Sequence, residues 1–283
     1  MKIKEQVFKG IFFISASVSI LAVLTICVFL FANGIPAMKE IGFFDFLFGV
    51  RWQPANDIYG IFPMIVGSIY ITAGAIILGV PIGILTAVFM TRYVSDKIYK
   101  YLKPMIDLLA SIPSIIYGFF GMTVLVPIIR NTFGGDGNSI LTASILLAIM
   151  ILPTIISISE SSLRAVPEFY YEGARALGAT HERSIFTILI KSAKSGILAS
   201  VVLGIGRAIG ETMAVIMIAG NQPRLTGDML KGIRTLTANV VMEMKYASGL
   251  HEDALIATGV VLFVFILIIN LSFSLIKRKS EGI

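Results

Sequence analysis

Six long apolar stretches limit what this chain can fold into. A helix rises 1.5 Å per residue, so about 20 apolar residues cross a hydrocarbon layer roughly 30 Å thick. The chain has 283 residues, of which 56% are apolar and 14% are charged, whereas soluble domains are about 25% charged. We therefore predict an all-α membrane protein with six transmembrane helices. The predicted spans are residues 11–32, 61–90, 104–129, 140–158, 197–219 and 254–276.

The first apolar stretch is expected to stay in the protein as a membrane helix. It is longer than the apolar core of a signal peptide, and no small-residue cleavage site follows it. The next residues contain the amphipathic sequence GFFDFLFG and the turn-like sequence WQPAND. We therefore divide the chain into residues 1–60, an N-terminal transmembrane helix with an external amphipathic segment, and residues 61–283, a core of five helices.

The distribution of basic residues predicts the orientation in the membrane. With the N-terminus in the cytoplasm, the segments on the cytoplasmic side hold 15 of the 23 lysines and arginines. Cytoplasmic loops normally carry this excess. We therefore expect both termini on the cytoplasmic side, and the basic composition needs no nucleic-acid partner to explain it.

A polar segment, residues 160–194, separates the fourth and fifth spans and carries nine of the 40 charged side chains. Pro167 suits the first turn of a helix, because its fixed φ and missing N–H cost nothing there. Gly178 is a suitable stop, and Thr180 is a suitable N-cap for a second helix. We predict a short cytoplasmic helix, a turn, and a second helix that runs straight into the fifth span.

The fifth span carries two charges, Arg207 and Glu211, which a continuous helix would place on one face. A charge near the middle of a membrane costs at least about 2.5 kcal/mol, so it should face protein or water. Small residues recur beside the pair at every fourth position and predict close helix packing. They are Gly196, Ser200, Gly204, Ala208 and Thr212.

Two hypotheses account for the charged pair, and the residues alone favour neither. In one, Glu211 neutralises Arg207, with Asp107 as a further candidate ion partner, and the pair fixes helix packing. In the other, Arg207 lies on the path of an oxyanion, because a guanidinium group offers forked donors and stays charged. Glu211 would then keep the empty path neutral.

Other kinds of site find little support in the sequence. The two histidines, His181 and His251, fall on opposite sides of the predicted membrane, so we expect no shared metal site. No G-x-x-x-x-G-K-[ST] phosphate loop occurs, and no nucleophile and base are grouped as catalysis would require. Cys27 lies alone in an apolar run. We expect a chain without a cofactor or catalytic activity of its own.

The polar segment resembles the cytoplasmic EAA loop of ABC-importer permeases, whose pattern is E-A-A, three residues, G, nine residues, I-x-L-P. Glu172, Ala174, Gly178 and Ile188 match it, while Lys191 replaces the closing proline. The resemblance implies that this segment couples the permease to an ATP-binding subunit. The coupling residues would be Glu172, Gly173, Ala174, Ala176, Leu177 and Gly178.

Further motifs are similar to those of phosphate-importer permeases of the PstC type. They are LASIPSIIYGFFG, LAIMILPTI, EGARALGAT and RAIGETMAVIMIAGN. The resemblance implies a type I ABC importer permease that imports inorganic phosphate by alternating access in a bacterial or archaeal plasma (inner) membrane. Its substrate-path residues would be Arg207, Glu211 and Thr212.

The same resemblance implies partners and leaves rival functions to be tested. The partners would be a second, PstA-like permease, a dimer of PstB-like ATP-binding subunits and an external PstS-like phosphate-binding protein. A permease for sulfate or molybdate would share the polar segment and differ only in its path residues. A secondary transporter would be favoured by an inverted repeat, which we do not find, and a membrane enzyme would need a reactive group at one surface.

Overall fold

The computed structural model describes residues 2–281 and, within them, the side chains of residues 5–272 and 275. The structure is predominantly helical, with one antiparallel hairpin in the described range, formed by β1 (Trp52–Gln53) and β2 (Ile58–Tyr59). The helices are α1 Lys2–Ile41, α2 Phe43–Phe48, α3 Phe62–Arg92, α4 Asp96–Ser111, α5 Ser114–Phe120, α6 Val126–Phe133, α7 Ile140–Arg164, α8 Phe169–Ala176, α9 His181–Arg183, α10 Ile190–Ser192, α11 Lys194–Gly210, α12 Met213–Ile218, α13 Leu236–Glu243 and α14 Leu250–Glu281. Two π-helical turns, Gly121–Leu125 and Ser184–Leu189, join α5 to α6 and α9 to α10.

The helices confirm the predicted all-α membrane fold. Within the described residues, five are long and apolar enough to cross a membrane, namely α1, α3, the run Ser114–Phe133, α7 and α14. A sixth span is obtained when the bent pair His181–Ser192 and Lys194–Gly210 is counted as one. The number of spans therefore agrees with the prediction, whereas the end of the first span and the start of the third do not.

The centre of the structure is the contact between α3 and α7, where glycines allow the two helices to approach closely. A methyl group on Gly79 would lie 2.9 Å from the side chain of Ile151, and one on Gly83 would lie 2.7 Å from the side chain of Ile155. Such small residues let helix backbones meet in a membrane, where water does not drive association. The side chains of α7 around this contact, such as Ile151, are buried. We infer that α3 and α7 form the most tightly packed pair of spans.

The first helix extends beyond its predicted end at residue 32 and reaches Ile41. A methyl group on Gly34 would lie 3.0 Å from the Cα of Ala257, so α1 packs directly on α14 at this level. The amphipathic sequence that follows forms α2, in which Phe46 is buried while Phe44 and Phe48 are exposed. Because the exposed face of α2 carries phenylalanines, the predicted external amphipathic segment remains a prediction.

The predicted start of the third span, near Pro104, is wrong. Residues 96–111 form α4, a separate amphipathic helix with no buried side chain, and the apolar span begins at Ser114. Pro113 causes the break, because its ring disfavours a helical conformation in the preceding residue. Ile112 accordingly has φ −67° and ψ 126°.

The prediction of a straight connection from the polar segment into the fifth span is also wrong. The chain bends by 71° between α10 and α11, at Ala193, which is buried. Both sides of the bend pack on α7: Ile185 and Leu189 share a buried cluster with Leu163, and Gly204 of α11 lies against Ile155. The bend forms even though lysine replaces the proline at position 191.

The fifth span is interrupted a second time, at the charged pair. Helix α11 ends at Gly210, Glu211 is extended with φ −69° and ψ 129°, and α12 begins at Met213. The hydroxyl group of Thr237 donates a hydrogen bond to the carbonyl oxygen of Glu211 at 3.1 Å, which satisfies part of the interrupted backbone. Arg207 and Glu211 therefore do not share the face of one continuous helix, as the spacing had suggested.

Candidate functional site

Arg207 is the charged group that lies deepest in the predicted spans, and its side chain makes few polar contacts with the described residues. Its side chain is half-buried on α11, and its Nη1 donates to the hydroxyl oxygen of Thr154 on α7 at 3.4 Å. Among the described side chains, no carboxylate lies within 4.0 Å of its guanidinium group. A cation without a counter-ion in an apolar span leaves several N–H donors available to an anion.

Glu211 serves the backbone and does not neutralise Arg207. Its Oε1 accepts a hydrogen bond from the backbone N–H of Ala214 at 3.2 Å, in the first turn of α12. The neighbouring Thr212 donates its hydroxyl hydrogen to the carbonyl oxygen of Gly210 at 3.2 Å. At the interruption, Glu211 and Thr212, which we had predicted to line the path, form hydrogen bonds with backbone groups. Both side chains remain half-buried.

Asp107, the other candidate ion partner, lies with a lysine and not with Arg207. Its Oδ1 is 3.5 Å from Nζ of Lys103 and accepts a hydrogen bond from the hydroxyl group of Ser157 at 3.4 Å. Ser157 is one helical turn from Thr154 along α7, about 4.5 Å towards Arg164 at the end of the helix. The structure therefore places two basic side chains from different helices on successive turns of the same face of α7.

A buried carboxylate, Glu160, binds the basic side chain beside Ser157, which is Lys103. The Glu160 side chain is 3% exposed; Oε2 is 3.2 Å from Nζ of Lys103, and Oε1 accepts hydrogen bonds from Arg164 and from the hydroxyl group of Tyr99. Burial, and then the hydrogen bond to Glu160, raises the pKa of Tyr99, so its hydroxyl group stays neutral and keeps donating. Sequence reasoning missed this cluster; the signal available was a carboxylate four residues before an arginine at the end of a span.

The polar segment exposes its first helix to solvent. Glu172 and Gly173 are exposed on α8, and Leu177 is 92% exposed. Gly178 has φ +84°, a left-handed conformation that a side chain would disfavour, and Thr180 accepts a hydrogen bond from the N–H of Arg183 at 3.2 Å. The predicted stop and N-cap are confirmed, and an apolar side chain at the tip of the turn is left uncovered by this chain.

Comparison with known families gives a match over most of the chain. The model of the family described as "Binding-protein-dependent transport system inner membrane component" matches residues 79–281. The probable ABC transporter permease protein YqgH of Bacillus subtilis is 37% identical over 266 residues, which are 90% of this chain and 86% of the relative. The phosphate transport system permease protein PstC of Mesorhizobium japonicum is 34% identical, over 86% of this chain and 81% of the relative. PstC of Haemophilus influenzae is 31% identical, over 98% and 94% respectively.

Solved structures support the same fold at lower sequence identity. A bacterial alginate ABC transporter in complex with an alginate-bound periplasmic protein aligns with a TM-score of 0.66 and 15% identity, covering 94% of each chain. The MetNI methionine ABC transporter in an inward-facing conformation aligns with a TM-score of 0.57 and 19% identity, covering 78% of this chain and 94% of the other. The chain belongs to the family of inner membrane components of binding-protein-dependent transport systems, and it is a membrane permease of the ABC importer class.

Proposed function

We propose that this chain is one of two permease subunits of an ATP-driven importer of inorganic phosphate. The observation that carries the proposal is the guanidinium group of Arg207, which lies in a membrane span without a carboxylate partner among the described residues. Relatives named as phosphate permeases align with this chain over most of its length, which supports phosphate as the anion. The alternative of a secondary transporter is disfavoured by the family match.

The chemistry around Arg207 suits a tetrahedral oxyanion. A guanidinium group offers paired N–H donors with the spacing of two phosphate oxygens, and the hydroxyl group of Thr154, 3.4 Å away, can donate a further hydrogen bond. Thr212 and Glu211 lie at the interruption that follows α11. In our proposal Thr212 lines the path, while Glu211, by capping α12, leaves Arg207 available to the anion in this conformation.

The polar segment supplies the connection to the ATP-binding subunits. Residues Glu172 to Gly178 would occupy a cleft on one ATP-binding subunit, with the 92% exposed Leu177 as an apolar anchor. Closure of the ATP-binding dimer would then move the permease pair between inward- and outward-open states. The external binding protein would deliver phosphate on the opposite side, with both termini of this chain in the cytoplasm.

The test is radiolabelled phosphate uptake by cells that express the complete transporter with Arg207→Gln. We expect uptake to fall by about 100-fold or more, because the path loses its positive charge, while a pull-down recovers the complex intact. The matched control is Arg130→Gln, which removes an exposed arginine that donates to the carbonyl oxygen of Asp136. Unchanged uptake in Arg207→Gln would refute the path, and loss of the complex would favour a structural role.

Uptake of sulfate and molybdate, measured in the same cells, tests the substrate. A guanidinium group binds any tetrahedral oxyanion, so the alternative of a sulfate or molybdate permease predicts uptake of that anion in place of phosphate. Uptake of phosphate alone, lost in Arg207→Gln, would support both parts of the proposal. Uptake of sulfate alone would refute phosphate and retain the path.

A further inference from the structure

We infer that Arg92, at the cytoplasmic end of α3, is a positioning residue that holds the polar segment and passes its movement to α3 and α7. The inference rests on the proposed function, because it concerns how the movement of the ATP-binding subunits reaches the spans. It adds a second mechanical connection to the direct one, in which the polar segment continues along the chain into α11.

The bend at Ala193 makes the direct connection a poor transmitter of force. Helix α10 meets α11 at 71°, so a push along the polar segment is not directed along the axis of the fifth span. A cavity of about 470 Å³ lies beside the bend and is lined by Ser162, Pro167, Tyr170 and Ser195, among others. This side of the bend is therefore not filled by side chains of the described residues, whereas Ala193 packs on the other side in a buried cluster with Ile185 and Leu189.

Arg92, in contrast, contacts the polar segment directly, through a Glu168 side chain that is 56% exposed. Nη1 of Arg92 lies 2.9 Å from both carboxylate oxygens of Glu168, which precedes α8, and the Arg92 side chain is only 14% exposed. Its guanidinium carbon also lies 5.4 Å from the ring centre of Tyr171. The hydroxyl group of Tyr171 in turn lies 2.7 Å from Nδ1 of His181, and the ring of Tyr93 contacts the ring of His181 at 5.0 Å between centres. Both helices of the polar segment are therefore attached to the end of α3.

Apolar packing strengthens this attachment and continues it into the membrane. Ala87 and Val88 of α3 share a buried cluster with Ile185 and Leu189 of the polar segment. One turn further along α3, Gly83 begins the close contact with α7. Helix α7 carries Thr154, the hydroxyl partner of Arg207. The route from the polar segment through Arg92 thus ends at the proposed anion site without passing the bend.

The first test measures phosphate transported per ATP hydrolysed by the complete transporter in proteoliposomes, with Arg92→Gln, Glu168→Gln and the exchanged pair Arg92→Glu with Glu168→Arg. We expect each single substitution to lower the ratio by about fivefold or more, since hydrogen bonds between charged groups contribute on that order. The exchanged pair should recover most of the loss. The control is Lys100→Gln, an exposed lysine on α4 that is absent from the ion pairs of the described residues.

A second readout does not depend on the transported substrate. In a Cys27→Ser background, the substitution Thr86→Cys places one thiol on α3. The rate at which this thiol is labelled is measured with and without ATP. We expect an ATP-dependent change that is abolished by Arg92→Gln and retained in Lys100→Gln.

Two outcomes for Arg92→Gln would overturn the inference: an unchanged transport ratio, or an unchanged labelling response. Release of the ATP-binding subunits that the exchanged pair fails to restore would also overturn it. Failure of the proposed function would instead appear as absent phosphate uptake in the unsubstituted transporter.

Discussion

Two basic side chains contact successive turns of α7, and they differ in how many oxygen partners they have. Nζ of Lys103 has three oxygen partners within 3.5 Å, on Ser157, Glu160 and Asp107. Arg207 has one neutral hydroxyl partner, at 3.4 Å. Buried charges are normally paired, so the cluster around Glu160 stabilises the attachment of α4 to α7, whereas Arg207 retains the capacity to bind an anion.

The difference also distinguishes two roles of a charge in a membrane span, one structural and one in binding. A compensated charge contributes to stability through its partners, and its removal leaves those partners unsatisfied. An uncompensated charge lowers stability and persists because of what it binds. Substitutions at Glu160 and at Arg207 should therefore change stability in opposite directions, and the following predictions test that contrast.

The largest effect is expected for Glu160→Ala. Removing this carboxylate, which is 3% exposed, leaves Lys103 and Arg164 without their shared partner. Because those two side chains are 26% and 46% exposed, we expect a cost of about 1.5–3 kcal/mol, the range for hydrogen bonds to charged groups. Thermal unfolding of the purified transporter in detergent should show a clear loss of stability and a drop in yield. A variant that unfolds like the parent would show that the cluster does not stabilise the fold.

Arg207→Leu should raise stability while abolishing uptake. A charge in a span costs about 2.5 kcal/mol or more on insertion scales, and the described residues offer it no carboxylate partner. We expect a gain of about 1–2 kcal/mol, reduced because the side chain is only half-buried. The same unfolding assay checks the sign. Destabilisation by Arg207→Leu would indicate that Arg207 is a structural residue like Lys103.

Arg207→Lys should preserve the positive charge and remove the paired N–H donors of the guanidinium group. A lysine ammonium group provides no pair of parallel donors, so we expect uptake to fall by about tenfold, or about 1.4 kcal/mol, without loss of the complex. The dependence of uptake on phosphate concentration gives the apparent affinity. Parent-like kinetics would mean that only the charge matters at this position.

Thr154→Val should have the smallest effect of the four. It removes one neutral hydroxyl group 3.4 Å from Arg207 and keeps the side-chain shape, so we expect a loss of about 0.5–1.5 kcal/mol. That corresponds to an apparent affinity for phosphate about two- to tenfold weaker. Ser157→Ala, one turn further along α7, serves as the control and should leave the affinity unchanged. Equal effects of both substitutions would remove the contrast between the two turns.

The elements predicted correctly are those specified by local chemistry. The six apolar stretches, the stop at Gly178 and the N-cap at Thr180 depend on side-chain hydrophobicity and on backbone preferences within a few residues. The small residues of the fifth span likewise indicated a close contact, and Gly204 indeed lies against Ile155 of α7. The division at residue 60 remains a prediction.

Apart from the start of the third span, which Pro113 sets locally, the features that were missed or incorrect depended on contacts distant in sequence. Arg207 and Glu211 are four residues apart, and nothing in that spacing shows that the hydroxyl group of Thr237 donates a hydrogen bond to the carbonyl oxygen of Glu211 and so stabilises an interrupted helix. At the bend, Leu189 before Ala193 and Gly204 after it both pack on α7, a helix that is distant in sequence. The attachment of Arg92 to Glu168 joins residues 76 positions apart, which no local pattern indicates.

By itself, the sequence determined the membrane class, the number of spans and the position of the polar segment, because each follows from the transfer of side chains and backbone between water and lipid. It also identified Arg207 as the unusual charge. Only the tertiary structure decided which charges are compensated, since compensation depends on side chains brought within about 4 Å by packing. That packing leaves Arg207 without a carboxylate among the described residues and surrounds Lys103 with oxygen atoms.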